Sequence, residues 1–438
     1  MIVPLRFRQF YTISCLLRLP KLRREDDVNG SGIALTMTTT YTNGVMKQKA
    51  GPAQAWVLIF AMFLPIMAII ALAPALPTLL DHFKDVPNAT ALVPMLLTVP
   101  ALCIALFGAL AGYLTDRFGR RKLFLGAMLL YLLGGATPFF LQRFSQVLTG
   151  RVLLGIAEAF VLAIGNALLA DYFSPAERNK WLMIQGIVGP FLATGLLALS
   201  GQLAARGWQW PFLTYSATVP ILVFAYFFIF EPERRTNKIE IIGGKPFPIG
   251  VAVILCSVTL FVAIVYFVQP IQFSLVLHEI GVTDQALIGR ISAVASIAVP
   301  LGAFTFRYSS RLRIQLQLGL IFVLTGLGLV GISLLRDYHQ SAVAALVQQT
   351  AAGMTVPTLV AWALSRFPAE HRGRGMGLWA ASFFIGQFAS PLAVSILRGI
   401  TGGLLPAITA SGVICLVAAF VCLLTKKDLG ERWESNEA

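Results

Sequence analysis

The chain has 438 residues, of which 57% are hydrophobic and only 12% charged, and its mean hydropathy is +0.77. A soluble globular chain carries about 25% charged residues, so half that share excludes an ordinary soluble domain. The formal charge of +14 would suit a nucleic-acid binder, but the cations sit in short stretches between apolar runs. Positive charge facing the cytoplasm is the simpler account, and no nucleic-acid partner is expected.

Residues 1–50 are polar and carry eight Lys/Arg. The apolar stretch Phe10–Leu17 is too short for a span and lacks the shape of a cleaved signal. The segment reads as a disordered cytoplasmic tail, with a basic amphipathic segment on the inner leaflet as the alternative. Met37 and Met46 offer later starts, which leaves open whether the first 36–45 residues belong to the native protein.

Twelve apolar runs follow, each near the 20 residues that a bilayer core requires. They predict spans 1 to 12 at 56–79, 91–113, 123–141, 146–170, 181–204, 210–230, 248–276, 285–305, 316–335, 341–364, 375–398 and 403–424. The predicted class is an all-α integral membrane protein. Prolines 65, 74, 100, 190, 270, 300, 357 and 391 fall inside these runs, as membrane helices tolerate. With the N-terminus inside, cytoplasmic segments hold 27 of the 34 Lys/Arg, and the outer loops and their edges hold five, Lys84, Arg143, Arg206, Arg336 and Arg398. That bias puts both termini in the cytoplasm, across the inner or plasma membrane.

The chain repeats itself. Gly112 after span 2 is echoed by Gly302, 190 residues later, and Pro175-Ala-Glu177-Arg178 by Pro368-Ala-Glu370-His-Arg372, 193 residues later. Two landmarks at nearly one offset imply two pseudo-symmetric six-helix bundles, 51–230 and 249–425. A hydrophilic linker at 231–248 joins them, and a cytoplasmic tail at 426–438 ends the chain. The second copy is eroded, since Phe306 stands where Asp116 would recur.

Between spans 2 and 3 runs Gly112-Tyr-Leu-Thr-Asp116-Arg117-Phe-Gly119-Arg120-Arg121-Lys122, read as a tight loop at the membrane surface with a glycine at each end of its turn. This string resembles the loop between the second and third helices of the major facilitator superfamily of secondary transporters, matching at its key positions. The resemblance implies helices 1, 4, 7, 10 and 2, 5, 8, 11 around a central cavity, with 3, 6, 9 and 12 outside. The polar residues, read separately, agree. Spans 3, 6, 9 and 12 have no charge, Asn or Gln in their interiors, whereas span 4 has Arg151, Glu158 and Asn166, span 5 Gln185, span 7 Gln269 and Gln272, span 10 Gln348 and Gln349, and span 11 Gln387. Spans 1 and 2 add none, so the wall there should be apolar.

Arg151 and Glu158 are seven residues apart, which places them on one helix face with about 10 Å between them and Glu158 near mid-membrane. Glu158 is a candidate proton site or anchor for a cationic group, and Arg151 a second candidate coupling residue. The plainer alternatives are polar packing for Glu158 and snorkelling to the outer surface for Arg151. Arg151-x-x-x-Gly155 resembles the family's fourth-helix pattern, with Leu154 in place of a frequent glutamine. Tyr266, Gln269, Gln272 and Gln387 are candidate cavity donors, with interhelical hydrogen bonding as the other reading.

The resemblance assigns a gate to Gly112, Asp116, Gly119, Arg120, Arg121 and Asp171. Arg120 would bridge Asp116 and Asp171, and Asp116 would lie by the N-terminus of span 11 near Gly375, where the helix dipole favours an anion. Gly186-x-x-Gly189-Pro190 in span 5 and Trp208-Gln-Trp210-Pro-Phe212 resemble proton-coupled drug exporters, although Ala193 and Thr194 replace the paired glycines of the first motif. These features favour proton-coupled antiport of a small amphiphilic solute by a monomer. Symport of a metabolite is the alternative in the same fold, and a membrane enzyme or sensor the alternative outside it. The four histidines are dispersed and the five cysteines lie far apart, so no metal or other cofactor is expected.

Overall fold

The computed structural model describes residues 50–232 and 246–425. The predicted tails, most of the linker and Cys15 lie outside the described residues. Twelve helical spans are long and apolar enough to cross a membrane: Pro52–His82, Ala89–Phe118, Arg120–Phe140, Phe144–Tyr172, Pro175–Ala204, Trp210–Phe228, Ile249–Glu279, Gln285–Ser309, Ile314–Leu334, Tyr338–Arg366, Arg372–Thr401 and Leu404–Leu424. Each overlaps the run predicted for it. Most are longer, because backbone hydrogen bonding carries a helix past the apolar segment wherever the flanking residues can cap it.

Span 5 shows such a cap. It starts at Pro175, six residues before its apolar run, because Ser174 and Glu177 form a reciprocal capping box at its N-terminus. Span 2 shows the same effect at its other end and corrects the expectation of a loop. Its helix continues through Asp116 to Phe118, and the next helix begins at Arg120. The whole turn is Gly119, whose φ of +93° lies where only glycine sits without strain. Gly112 is inside the helix and takes no part in the turn.

The prolines act in two ways. Pro65, Pro100, Pro190, Pro357 and Pro391 stay inside continuous helices. Spans 7 and 8 instead break at Phe267 and Ile297, each three residues before a proline (Pro270, Pro300), where the missing N–H leaves a carbonyl of the preceding turn free. Span 1 passes through a 3-10 turn at Ala73–Ala75.

Among the first six spans, 4 packs on 2 and 3. Among the last six, 9 packs on 10 and 12, 7 on 11, and 8 on 10. Only two of the extensive pairings join the groups, span 2 with 11 and span 5 with 8. The second is closest at the end away from Gly119. A Cβ on Gly201 would come within 2.6 Å of the Gly289 Cα, and the Thr194 and Ser296 hydroxyls lie 2.7 Å apart. Toward the Gly119 end the packing thins. In span 5 the buried residues are Leu197, Ser200, Gly201 and Ala204, all in its last two turns, and Leu301, Phe304 and Tyr308 of span 8 are each 61% exposed.

Candidate functional site

The Gly119 turn is held by a network drawn from spans 2, 3, 4 and 6. Glu231, just beyond span 6, accepts hydrogen bonds from the backbone N–H of Arg120 (2.7 Å) and Arg121 (2.8 Å). Those N–H groups are the unsatisfied donors at the start of span 3, where an anion is favoured. A Cβ on residue 119 would fall 3.2 Å from the Glu231 carboxylate, so glycine serves both the turn and the cap.

The Arg120 guanidinium pairs with Asp171, lies 3.9 Å from Asp116 and donates to the Ala167 carbonyl at 3.2 Å. Arg121 donates to the Tyr226 carbonyl at 2.8 Å and lies over its ring. The Tyr172 hydroxyl is bonded to both the carbonyl and the N–H of Phe230. Five of the six predicted gate residues therefore sit together, and Gly112 stands apart. Asp116 leaves 78% of its side chain exposed. It is not joined to Gly375, which is buried with the Phe367 ring where a Cβ would be.

Glu231 was not singled out by sequence. Its signal was available as an acid set directly after the last apolar residue of a span, in Phe230-Glu231-Pro232. Reading it as the first residue of a linker hid that role.

In the membrane interior Arg151 and Glu158 part company. Arg151 is fully buried and does not snorkel. Its guanidinium donates to the Leu96 carbonyl (2.7 Å), the Tyr215 hydroxyl (2.7 Å) and the Ala68 carbonyl (2.8 Å), joining span 4 to spans 2, 6 and 1. Such a guanidinium ties helices together and has little left to offer a solute. Glu158, at the midpoint of span 4, is 1% exposed, and its Oε1 has no hydrogen-bond partner. An unpaired polar atom this deep is costly, and in a membrane protein it marks a functional position by default.

Two buried amides of the last six spans bond each other, and a third reaches a backbone carbonyl. Gln349 donates to Gln269 at 2.8 Å, joining spans 10 and 7, and Gln348 to the Tyr266 carbonyl at 3.4 Å. Gln272 and Gln387 are buried. Tyr266 lies in an aromatic group with Phe267, Phe383 and Trp379 at the face between spans 7 and 11. In span 5, Gly186 and Gly189 have open space where a Cβ would be. The Pro190 carbonyl accepts from Thr194 at 2.9 Å, and Thr194 is the same residue that reaches Ser296. The departure from the exporter motif is thus itself a link between spans 5 and 8. No cluster of His, Cys, Asp or Glu suited to a metal occurs among the described residues.

Comparison with known proteins agrees with this architecture. The Major Facilitator Superfamily profile matches residues 58–391 and 318–438. The class B tetracycline resistance protein of Escherichia coli is 30% identical over 216 residues, covering 46% of this chain and 50% of that protein. The MFS antiporter QDR3 of Candida albicans is 28% identical over 172 residues, covering 38% of this chain and 24% of that protein. The chain thus spans half or less of the length of these curated relatives. The crystal structure of a D-xylose-proton symporter superposes with a TM-score of 0.70 at 15% identity, covering 86% of this chain and 98% of that one, a likeness of fold. Twelve spans joined through 2 with 11 and 5 with 8, and a profile matched along the membrane-embedded chain, make this protein a member of the Major Facilitator Superfamily.

Proposed function

We propose that this protein is a secondary transporter of the cytoplasmic membrane that exports a small amphiphilic organic solute in exchange for protons, by alternating access and as a single chain. The observation that carries the reading is Glu158, enclosed at mid-span with one carboxyl oxygen unpartnered. A proton carried on that oxygen neutralises the group while it is enclosed and removes the cost of a lone buried charge. Release of the proton on the opposite side supplies the coupling. The printed names of the relatives, a tetracycline resistance protein and an antiporter, support export, and the apolar interior with scattered amides suits an amphiphile.

With both termini in the cytoplasm, as the charge bias supports, the Gly119 turn faces inward. Spans 1–6 and 7–12 then act as two bundles, close-packed at the outer end through Gly201 and Gly289 and apart on the cytoplasmic side. In the alternate state the inner ends approach, and Asp116 finds its partner at the start of span 11. In this state it is free to do so because Arg120 also holds Asp171. A few kcal/mol between the two arrangements suffices to shift the populations.

The test is transport in proteoliposomes under an imposed pH gradient, with a panel of cationic, neutral and anionic amphiphiles. Solute movement opposite to the proton flux, lost in Glu158→Gln at normal folding, is the expected result. Movement with the protons would reverse the direction, and full coupled activity in the variant would remove Glu158 from the mechanism.

A further inference from the structure

Spans 9 and 12 meet backbone to backbone where Gly326 faces Gly412. A Cβ on Gly326 would lie 2.8 Å from the Gly412 carbonyl oxygen. Beyond that crossing, toward the end away from Gly119, the two helices enclose a groove of about 580 Å³. Leu334, Leu405, Val413 and Ile414 form its apolar walls. Three of the four are well exposed, Leu334 at 61%, Val413 at 48% and Ile414 at 40%, so the groove opens to the outside of the bundle, where the surroundings are lipid tails. Its polar atoms are largely spent on one another. The Ser333 and Thr409 hydroxyls lie 2.8 Å apart, with the Val330 and Leu405 carbonyls also within hydrogen-bonding distance.

The exception is Arg336, which lines the groove just past the C-terminus of span 9 and makes no ion pair among the described residues. Its neighbour Asp337 is committed elsewhere. That carboxylate caps span 10, accepting from the backbone N–H of His339 at 2.8 Å and of Gln340 at 3.2 Å, and it lies 3.3 Å from the His339 imidazole. These bonds hold its pKa below the usual carboxylate value and keep it off the guanidinium. Arg336 also lies at the end of the molecule poorer in cations among the described residues, where a positive charge has no part in setting topology.

We propose that this groove holds one anionic glycerophospholipid from the leaflet opposite the Gly119 turn, with an acyl chain along Leu405–Ile414 and the phosphate on Arg336. An apolar channel ending in a single unpaired guanidinium matches that partner in both shape and charge. Arginine binds phosphate through two parallel N–H donors, and a basic residue near an anionic headgroup contributes about fivefold in affinity.

The test uses the full chain in detergent with phosphatidylglycerol carrying a photoreactive acyl chain, and phosphatidylcholine with the same chain as the comparison. The expected result is crosslinking of the phosphatidylglycerol probe within residues 405–414, reduced about fivefold in Arg336→Gln, kept in Arg336→Lys and unchanged in Arg398→Gln. Equal labelling by the two lipids, no loss in Arg336→Gln, or the same loss in Arg398→Gln would overturn it. So would displacement of the probe by an uncharged amphiphile but not by unlabelled phosphatidylglycerol, since the groove would then be a solute site. Arg336 is exposed, and melting of each variant in detergent reports its folding separately.

Discussion

At the Gly119 end of the first six spans, the start of span 3 is held by Glu231, and the turn is bound by Arg120, Arg121 and Asp171. At the same end of the last six, Phe247 gathers an aromatic and cationic cluster. Its ring stacks on Phe367 with centroids 6.1 Å apart, meets His371 edge-on at 5.5 Å and carries the Arg374 guanidinium 4.5 Å above it. The interiors differ in the same sense. Spans 1–6 bury an arginine and a glutamate, whereas the buried amides Gln269 and Gln349 of spans 7–12 bond each other. Among the described residues, the buried charged side chains, Arg151 and Glu158, both lie in the first six spans. A network of carboxylates and guanidiniums is more sensitive to salt than stacked rings or amide pairs.

Substitutions in the two regions would break or sharpen that contrast. The largest effect belongs to Glu158→Gln, which should reduce proton-coupled transport to background in proteoliposomes while leaving membrane insertion unchanged. Arg151→Ala should follow, at about 1–3 kcal/mol of stability, because it strands the buried Leu96 carbonyl and leaves the Tyr215 hydroxyl only its bond to the Ala68 carbonyl. A collapse in the melting temperature of the purified protein would register it, and a near-normal melt would show that the triple tie is dispensable. Asp116→Asn should lower transport severalfold with normal insertion, and an unaltered rate would confine Asp116 to its place beside Arg120.

Glu231→Gln should cost about 1 kcal/mol, as the loss of a helix cap does, and the loss should shrink in high salt. Phe247→Ala, read beside it, should lose a similar amount that salt changes less. Equal salt responses in these two would end the contrast at the membrane surface. The smallest change is Gln269→Leu combined with Gln349→Leu, about 0.6 kcal/mol for one interhelical hydrogen bond. A loss of transport well beyond that would give these amides a place at the solute.

Much of the fold was legible because the bilayer imposes a length and a polarity that each apolar run displays separately. The spans and their number follow from this. Helix ends were less legible, since Ser174 with Glu177 and Gly119 act through backbone hydrogen bonds that lie outside the apolar runs. The grouping of Asp116, Arg120 and Asp171 came from resemblance to a known loop. Glu231 escaped notice because its two partners are backbone N–H groups more than a hundred residues away, which leave no mark in side-chain chemistry.

The sequence alone determined that this is a twelve-span membrane protein with its cations gathered at one surface and a carboxyl at the middle of span 4. Those properties depend on the solvent each residue must meet, and that is written locally. The tertiary structure decided which polar groups are already spent. Arg151 and Glu158 share a helix face in the sequence, yet three partners from spans 1, 2 and 6 satisfy the arginine, while one oxygen of the glutamate has none. The periodicity of a helix fixes where a side chain points, but only neighbouring helices fix what it meets there.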